Sequence, residues 1–406
     1  MLLSKNEHIF AISSDILETK MYPFSEILFG FGIILKNEHI MFDRETPYND
    51  LPNLPIPEEI IDKEILKKWG IASRALAELN KNILRIPNPT MLINTIALQE
   101  AQSSTAIENI FTTEDELYKA VSDAVKEQNT DPATKEVLRY REALWEGFRN
   151  LTDKGYIDKD VIVSVFQKIK NTTQGIRPPQ SQVVIKRGQS EFRPGEVIYT
   201  PPRGEGIVEQ KLENLIDFLN NHKAIDPLLK MAIAHYQFEA IHPFSDGNGR
   251  TGRVINLLYL VSQGLISHPV LYLSKYIIEN KDDYYYSLAA VTQRKDWKQW
   301  IEYMMDAVQY TSIQTNQMID EILEQMDATF NYVKPKLKWY SYELNQTLFS
   351  QPYIKQKAIG EVTGAKSRTT LSKYIKELIK LGVLSAKEDG REVFYMNNDL
   401  LRILQR

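Results

Sequence analysis

The sequence predicts a mainly α-helical protein with one small β-hairpin and a C-terminal helix-turn-helix that carries a hairpin of its own. Three observations predict it. Apolar residues recur at helical spacing on both sides of a glycine-rich loop at 242–253. Two β-branched runs, at 181–186 and 196–202, flank a stretch containing glycine and proline. Beyond residue 351, two helical patterns are followed by two strand patterns that meet at Asp389-Gly390.

In chain order, residues 1–95 read as an N-terminal region with a Pro-rich lead-in over Thr46–Pro57. Its apolar run Ile27–Leu35 is far shorter than the roughly 20 residues of a spanning helix. It also lacks the charged start and cleavage site of a signal peptide, so the chain is expected to be cytoplasmic, with no membrane role. A core is expected over 96–310, containing a helix at about 99–110, the hairpin at about 181–202 and the loop at 242–253. A linker helix over 311–345 then leads to a winged helix over 346–406.

Composition sets the outer limits. A chain of 406 residues with 43% hydrophobic and 25% charged residues is globular in type and long enough for two or three domains. A formal charge of −4 argues against a bulk polyanion-binding role. With no cysteine, there is no disulfide frame, no thiolate chemistry and no Cys-based zinc site. The six histidines show no close ligand spacing.

The chemistry concentrates in His242-Pro-Phe-Ser-Asp-Gly-Asn-Gly-Arg-Thr-Gly-Arg253. Asp226-Pro227 gives the helix before it an N-cap and a first-turn proline. Val254, Ile255, Leu257, Leu258 and Val261 continue as a second helix, ended near Gly264. The loop thus stands at a helix N-terminus, where free N–H groups and the dipole favour an anion. An imidazole can take a proton near neutral pH, a carboxylate can hold Mg²⁺, and guanidiniums can fork onto phosphate oxygens. A dinucleotide fingerprint (Gly247-x-Gly249-x-x-Gly252) also fits literally, but a helix rather than a strand precedes it. A plain turn between helices would leave His242, Arg250 and Arg253 idle.

These twelve residues resemble the signature of the Fic (filamentation induced by cAMP) family, and the resemblance extends from about Tyr48 to Met305. It implies a Fic-type helical core and a protein adenylyltransferase, moving AMP from ATP onto a Ser, Thr or Tyr hydroxyl of a target protein, itself included. Carried across, His242 is the base and Asp246 the Mg²⁺ ligand. Gly247, Asn248, Gly249 and Arg250 hold the α- and β-phosphates, within a loop completed by Thr251 and Gly252. Arg253 pairs with the γ-phosphate. The resemblance also implies a homodimer.

Upstream, Ser104-x-x-x-Glu108-Asn109 resembles the family's inhibitory motif, in which the glutamate occupies the second arginine, here Arg253. The 181–202 hairpin resembles the family's flap, which receives a target segment by strand addition, with Ile185, Lys186 and Tyr199 nearest the nucleotide. Tyr284 and Tyr285 take the places of the tyrosines that close over the adenine. The reverse reaction, AMP removal with Glu108 positioning water, and a different nucleotide donor stay open.

From Gln351 onward, 11 Lys/Arg stand against 6 Asp/Glu, a net of +5. In a DNA-reading version of the winged helix, Arg368, Lys373 and Lys376 meet the duplex, with Arg391 on the wing. The alternative is a protein-protein or dimerisation module. A second function class follows: a DNA-associated regulator whose core senses a nucleotide without transferring it.

Overall fold

The computed structural model describes residues 42–86, 89–122, 130–187, 195–365, 367–390 and 392–405. The apolar run at 27–35, the tip of the 181–202 hairpin at 188–194 and Arg391 lie outside the described residues. Among the described residues there are fifteen α-helices and five short strands. The mainly helical fold class therefore holds.

In order, they are α1 (Lys63–Ile83), α2 (Pro89–Ile107), α3 (Glu114–Ser122), α4 (Pro132–Lys154), α5 (Lys159–Lys170), β1 (Ile185–Arg187), β2 (Glu196–Tyr199), α6 (Ile207–Asn221), α7 (Pro227–Ile241) and α8 (Asn248–Ser262). Then come α9 (Leu273–Glu279), α10 (Lys281–Arg294), α11 (Trp297–Val333), α12 (Tyr342–Leu348), β3 (Tyr353–Ile354), α13 (Gln356–Thr363), α14 (Arg368–Lys380), β4 (Ser385–Asp389), β5 (Glu392–Met396) and α15 (Asn398–Leu404).

Helix α7 lies at the centre. From Leu228 to Ile241, all its residues but Glu239 are buried, so it is apolar around its whole circumference rather than amphipathic. Asp226 caps it by accepting from Leu228 N at 2.8 Å, and Pro227 follows. The Trp300 indole of α11 donates to Ala232 O at 2.7 Å, fixing the long helix against α7. Lys230 turns its ammonium onto Leu219 O and His222 O, at the carbonyl end of α6.

Two helices run across expected boundaries. Helix α2 starts at Pro89, well before residue 99 and ahead of the 95/96 boundary. Helix α11 runs 37 residues through the expected break at 310. No glycine or proline interrupts Trp297–Val333, and the helix stays packed against α1 and α7 instead of bridging solvent.

Strands β1 and β2 pair antiparallel, with Ile185 opposite Tyr199 and an irregularity after Ile185. At the C-terminus the sheet order is β3-β5-β4, all antiparallel. Gly364, left-handed at φ 64°, ends α13 before α14. Gly390, at φ 60°, turns β4 into β5. Helix, turn, helix and hairpin thus follow in the expected order.

Candidate active site

The signature loop is the short connection between α7 and α8. His242 ends α7 in the left-handed region, at φ 51°, and Gly247 caps α8 at φ 77°. Between them, Phe244 is fully buried and stacks on Phe166 of α5, ring centroids 3.9 Å apart. Asn248 closes the loop: its Oδ1 accepts from Phe244 N and its Nδ2 donates to Phe244 O, each at 2.8 Å. The Asn248 amide thus shapes the loop through one of its two N–H donors and its carbonyl oxygen. Thr251 is likewise internal, its hydroxyl donating to Gly247 O at 2.9 Å.

The half-buried His242 ring directs Nδ1 at the carbonyl of Glu239, 3.3 Å away. A carbonyl only accepts, so Nδ1 carries the hydrogen and Nε2 is left as the basic nitrogen. Burial lowers the ring's pKa to about 4, so it is neutral at pH 7. A residue not foreseen from sequence holds this segment in place. Arg177 is buried, its Nε donates to His242 O at 2.8 Å, and its Nη2 reaches Pro202 O and Ile241 O.

Each charged residue of the loop meets an opposite charge from a distant element. Asp246 Oδ2 takes Lys170 Nζ of α5 at 2.6 Å. Partial desolvation opposes its ionisation, but Lys170 keeps its pKa below the usual carboxylate value. Arg250 Nη1 pairs with Glu136 Oε2 of α4. Arg253 Nη2 pairs with Glu108 Oε1 of α2 at 2.8 Å. Lys170 and Glu136 carried no sequence signal, because they lie 76 and 114 residues from their partners.

The Arg253 site is the most complete. The guanidinium is buried; Nε donates to Ser104 Oγ at 2.7 Å and Nη2 to Ser104 O at 2.9 Å. Burial disfavours the Glu108 carboxylate, yet Arg253 outweighs it and holds its pKa down. The Glu108 carboxylate lies so close over α8 that a Cβ on Gly249 would stand 2.5 Å from Oε1. A side chain at 249 would push that carboxylate aside. Helix α2 is pinned in this position by Glu100, a buried carboxylate that accepts from Tyr140 Oη at 3.1 Å and Ser274 N at 2.8 Å. At its end, Lys281 Nζ donates to Ile107 O at 2.6 Å and to Asn109 Oδ1 at 3.3 Å.

The aromatic candidates divide. Tyr284 is core: buried, its hydroxyl shares a 2.9 Å hydrogen bond with His235 Nε2, and its ring packs against Trp300. Tyr285 is 38% exposed and stands edge-on to Tyr284, so its ring can still meet a ligand. Tyr199 is also core, with its hydroxyl donating to Ala240 O at 2.8 Å. It fastens the hairpin to α7. Ile185 is half-buried and Lys186 exposed. A Cβ on Gly252 would stand 2.7 Å from Glu239 Oε1, so this glycine serves helix packing.

Magnesium needs one or two carboxylates plus substrate oxygens rather than a full protein cage. Asp246, with a side chain 66% exposed at the loop mouth, fits that donor set. Among the described residues no cluster of three His, Asp or Glu could hold a metal alone. Nor is any described helix long and apolar enough to cross a membrane.

Three family profiles match the chain: "Fic/DOC family N-terminal" over 66–149, "Fic/DOC family" over 156–260, and "Protein adenylyltransferase SoFic-like, C-terminal domain" over 325–400. A probable protein adenylyltransferase of Aquifex aeolicus is 25% identical over 70% of this chain and 82% of its own length. Protein adenylyltransferase fic-1 of Caenorhabditis elegans is 36% identical over 26% of this chain, a match spanning only 20% of that protein. The crystal structure of a Fic family protein from Desulfovibrio desulfuricans superposes with a TM-score of 0.51 and 20% identity, covering 85% of this chain and 98% of that one. That likeness speaks to the fold alone. With the signature loop, the helix across it and three matched profiles in sequence, the chain belongs to the Fic/DOC family.

Proposed function

We propose that the chain is a protein adenylyltransferase, transferring AMP from Mg-ATP to a Ser, Thr or Tyr hydroxyl, and that Glu108 holds it inactive. The observation carrying this reading is the buried Arg253, whose fork is filled by Glu108 and Ser104. A γ-phosphate bound by Arg253 must take the place of that carboxylate. While Glu108 stays, ATP can enter only with its terminal phosphate displaced, and the α-phosphorus is then misaligned for attack.

Once Glu108 withdraws, the chain's own groups account for the reaction. Asp246 would hold magnesium, which supplies charge neutralisation across the phosphates. The first-turn N–H groups of α8 and the Arg250 guanidinium bind the α- and β-phosphates. His242 Nε2 takes the proton of the target hydroxyl as its oxygen bonds to the α-phosphorus. The α–β bridging P–O bond breaks and pyrophosphate leaves. Strands β1 and β2 form a two-stranded sheet, so an extended target segment can add along an edge. The same reading includes self-modification and a homodimer in the cytoplasm.

Purified Glu108→Gly protein supplied with α-³²P-ATP or γ-³²P-ATP tests the assignment. Label from the α-position alone is expected. Label from γ alone means a kinase-like reaction and defeats the reading. Loss of α-label during a chase without ATP would favour AMP removal, and label from a different nucleotide would name another donor.

One observation favours a second activity. Arg368, Lys373, Lys376 and Lys380 are exposed along α14 and line an open concavity of about 600 Å³, which suits a duplex backbone. DNA binding there would weaken steeply with added salt; a flat salt response would remove it and leave a protein-docking module.

A further inference from the structure

We infer that Glu136 is a positioning residue for the phosphate site: it holds Arg250 so that the rest of the guanidinium faces the anion loop. The inference rests on the nucleotide reading above. It concerns a residue of α4, outside both the signature and the inhibitory motif.

Arg250 has five N–H donors in a planar fork. It is only 2% exposed, so water cannot serve them all. Nη1 is taken by Glu136 Oε2. Nε is buried and has no hydrogen-bond partner. A buried donor without an acceptor is destabilising, so the guanidinium is held here by its other contacts. Nη2 lies 4.0 Å from the point where a side chain on Gly247 would begin, so the free part of the fork stands over the loop. An anion seated on the first turn of α8 would meet that terminal nitrogen.

Glu136 could instead be a competitor that keeps phosphate away, as Glu108 does at Arg253. The geometry separates the two cases. Glu108 lies directly over Gly249 at the helix start, in the space an anion would use. Glu136 approaches from α4 and takes one terminal nitrogen, while the other stands near Gly247 at the loop. A guanidinium clasped at one corner loses rotational freedom and meets its ligand already oriented. Without Glu136, Arg250 is left among Glu108 and Asp246, both of which act on it electrostatically.

ADP is the discriminating probe. It lacks the γ-phosphate, so the Glu108–Arg253 pair bears little on its affinity. Calorimetric titration of ADP into the full chain, Glu136→Gln, Arg250→Gln and the double variant gives a closed cycle. Glu136→Gln is expected to weaken ADP by about tenfold with Arg250 present, and by less than about twofold in the Arg250→Gln background. Glu136→Asp should recover part of the affinity, and the double variant leaves no unpaired buried charge should Glu136→Gln alone unfold. Unchanged or tighter ADP binding by Glu136→Gln would overturn the inference in favour of an idle or competing carboxylate. Equal losses in both backgrounds would overturn it in favour of a general structural role. Absence of ADP binding by the unaltered chain, with the fold intact, would overturn the nucleotide reading and this inference together.

Discussion

The signature loop and the C-terminal module both carry charge, but they place it differently. At the loop, Arg250 and Arg253 are buried, and each meets a carboxylate from a helix more than 100 residues away in sequence. In the module, Arg368, Lys373, Lys376 and Lys380 stand in solvent on one face of α14. The module's charges near its turn reach α3 instead: Lys387 pairs with Asp115, and Asp389 pairs with Lys119 at 2.6 Å. Buried charges must be matched in position or the fold suffers. Exposed ones are screened and can drift with little cost. The loop is therefore a fixed device, and the α14 face is a surface whose use depends on its partner.

Three perturbations sharpen that contrast. The largest is expected at the loop: His242→Ala in a Glu108→Gly background should cut AMP transfer by about 10²–10⁴-fold, the range for loss of a positioned base. Label incorporation measures it, and an effect under tenfold would move the base elsewhere.

Next is pH. Below its pKa, His242 is protonated and cannot accept the hydroxyl proton, so transfer should fall as pH drops through about 4. Transfer should hold steady across about 6.5, where a solvated imidazole titrates. Initial rates on the Glu108→Gly protein would show this, and an acid limb near 6.5 would mean that the ring is solvated.

The smallest effect is expected where the module meets α3. Asp115 accepts from Tyr353 Oη at 2.6 Å and pairs with Lys119 and Lys387 while 35% exposed. Asp115→Ala should cost about 1 kcal/mol or less, read as a small drop in thermal midpoint. A loss comparable to that of a core cavity would show that the module braces the whole fold.

The sequence was most readable where chemistry and local structure coincide. Asp226-Pro227 marked the start of α7, and Asp389-Gly390 marked the turn between β4 and β5. The loop residues announced an anion site by type and spacing. What stayed hidden was tertiary: Glu136, Lys170 and Arg177 are ordinary charged residues until folding brings them to the loop. Pattern alone also cannot tell a tyrosine facing a ligand from one facing the core. Tyr199 and Tyr284 spend their hydroxyls on Ala240 O and His235, while Tyr285 keeps an exposed ring. Asn248 shows the same limit, since its spacing gives no sign that its amide closes the loop onto Phe244.

The pairing of Glu108 with Arg253 is the centre of the account, and one comparison tests it most directly. Initial rates of label incorporation from α-³²P-ATP should be measured for the unaltered chain and for Glu108→Gly, with both shown to be folded. A rise of about tenfold or more is expected, the effect of removing a competing contact worth about 1.4 kcal/mol. An equal or slower rate in the folded variant would contradict it.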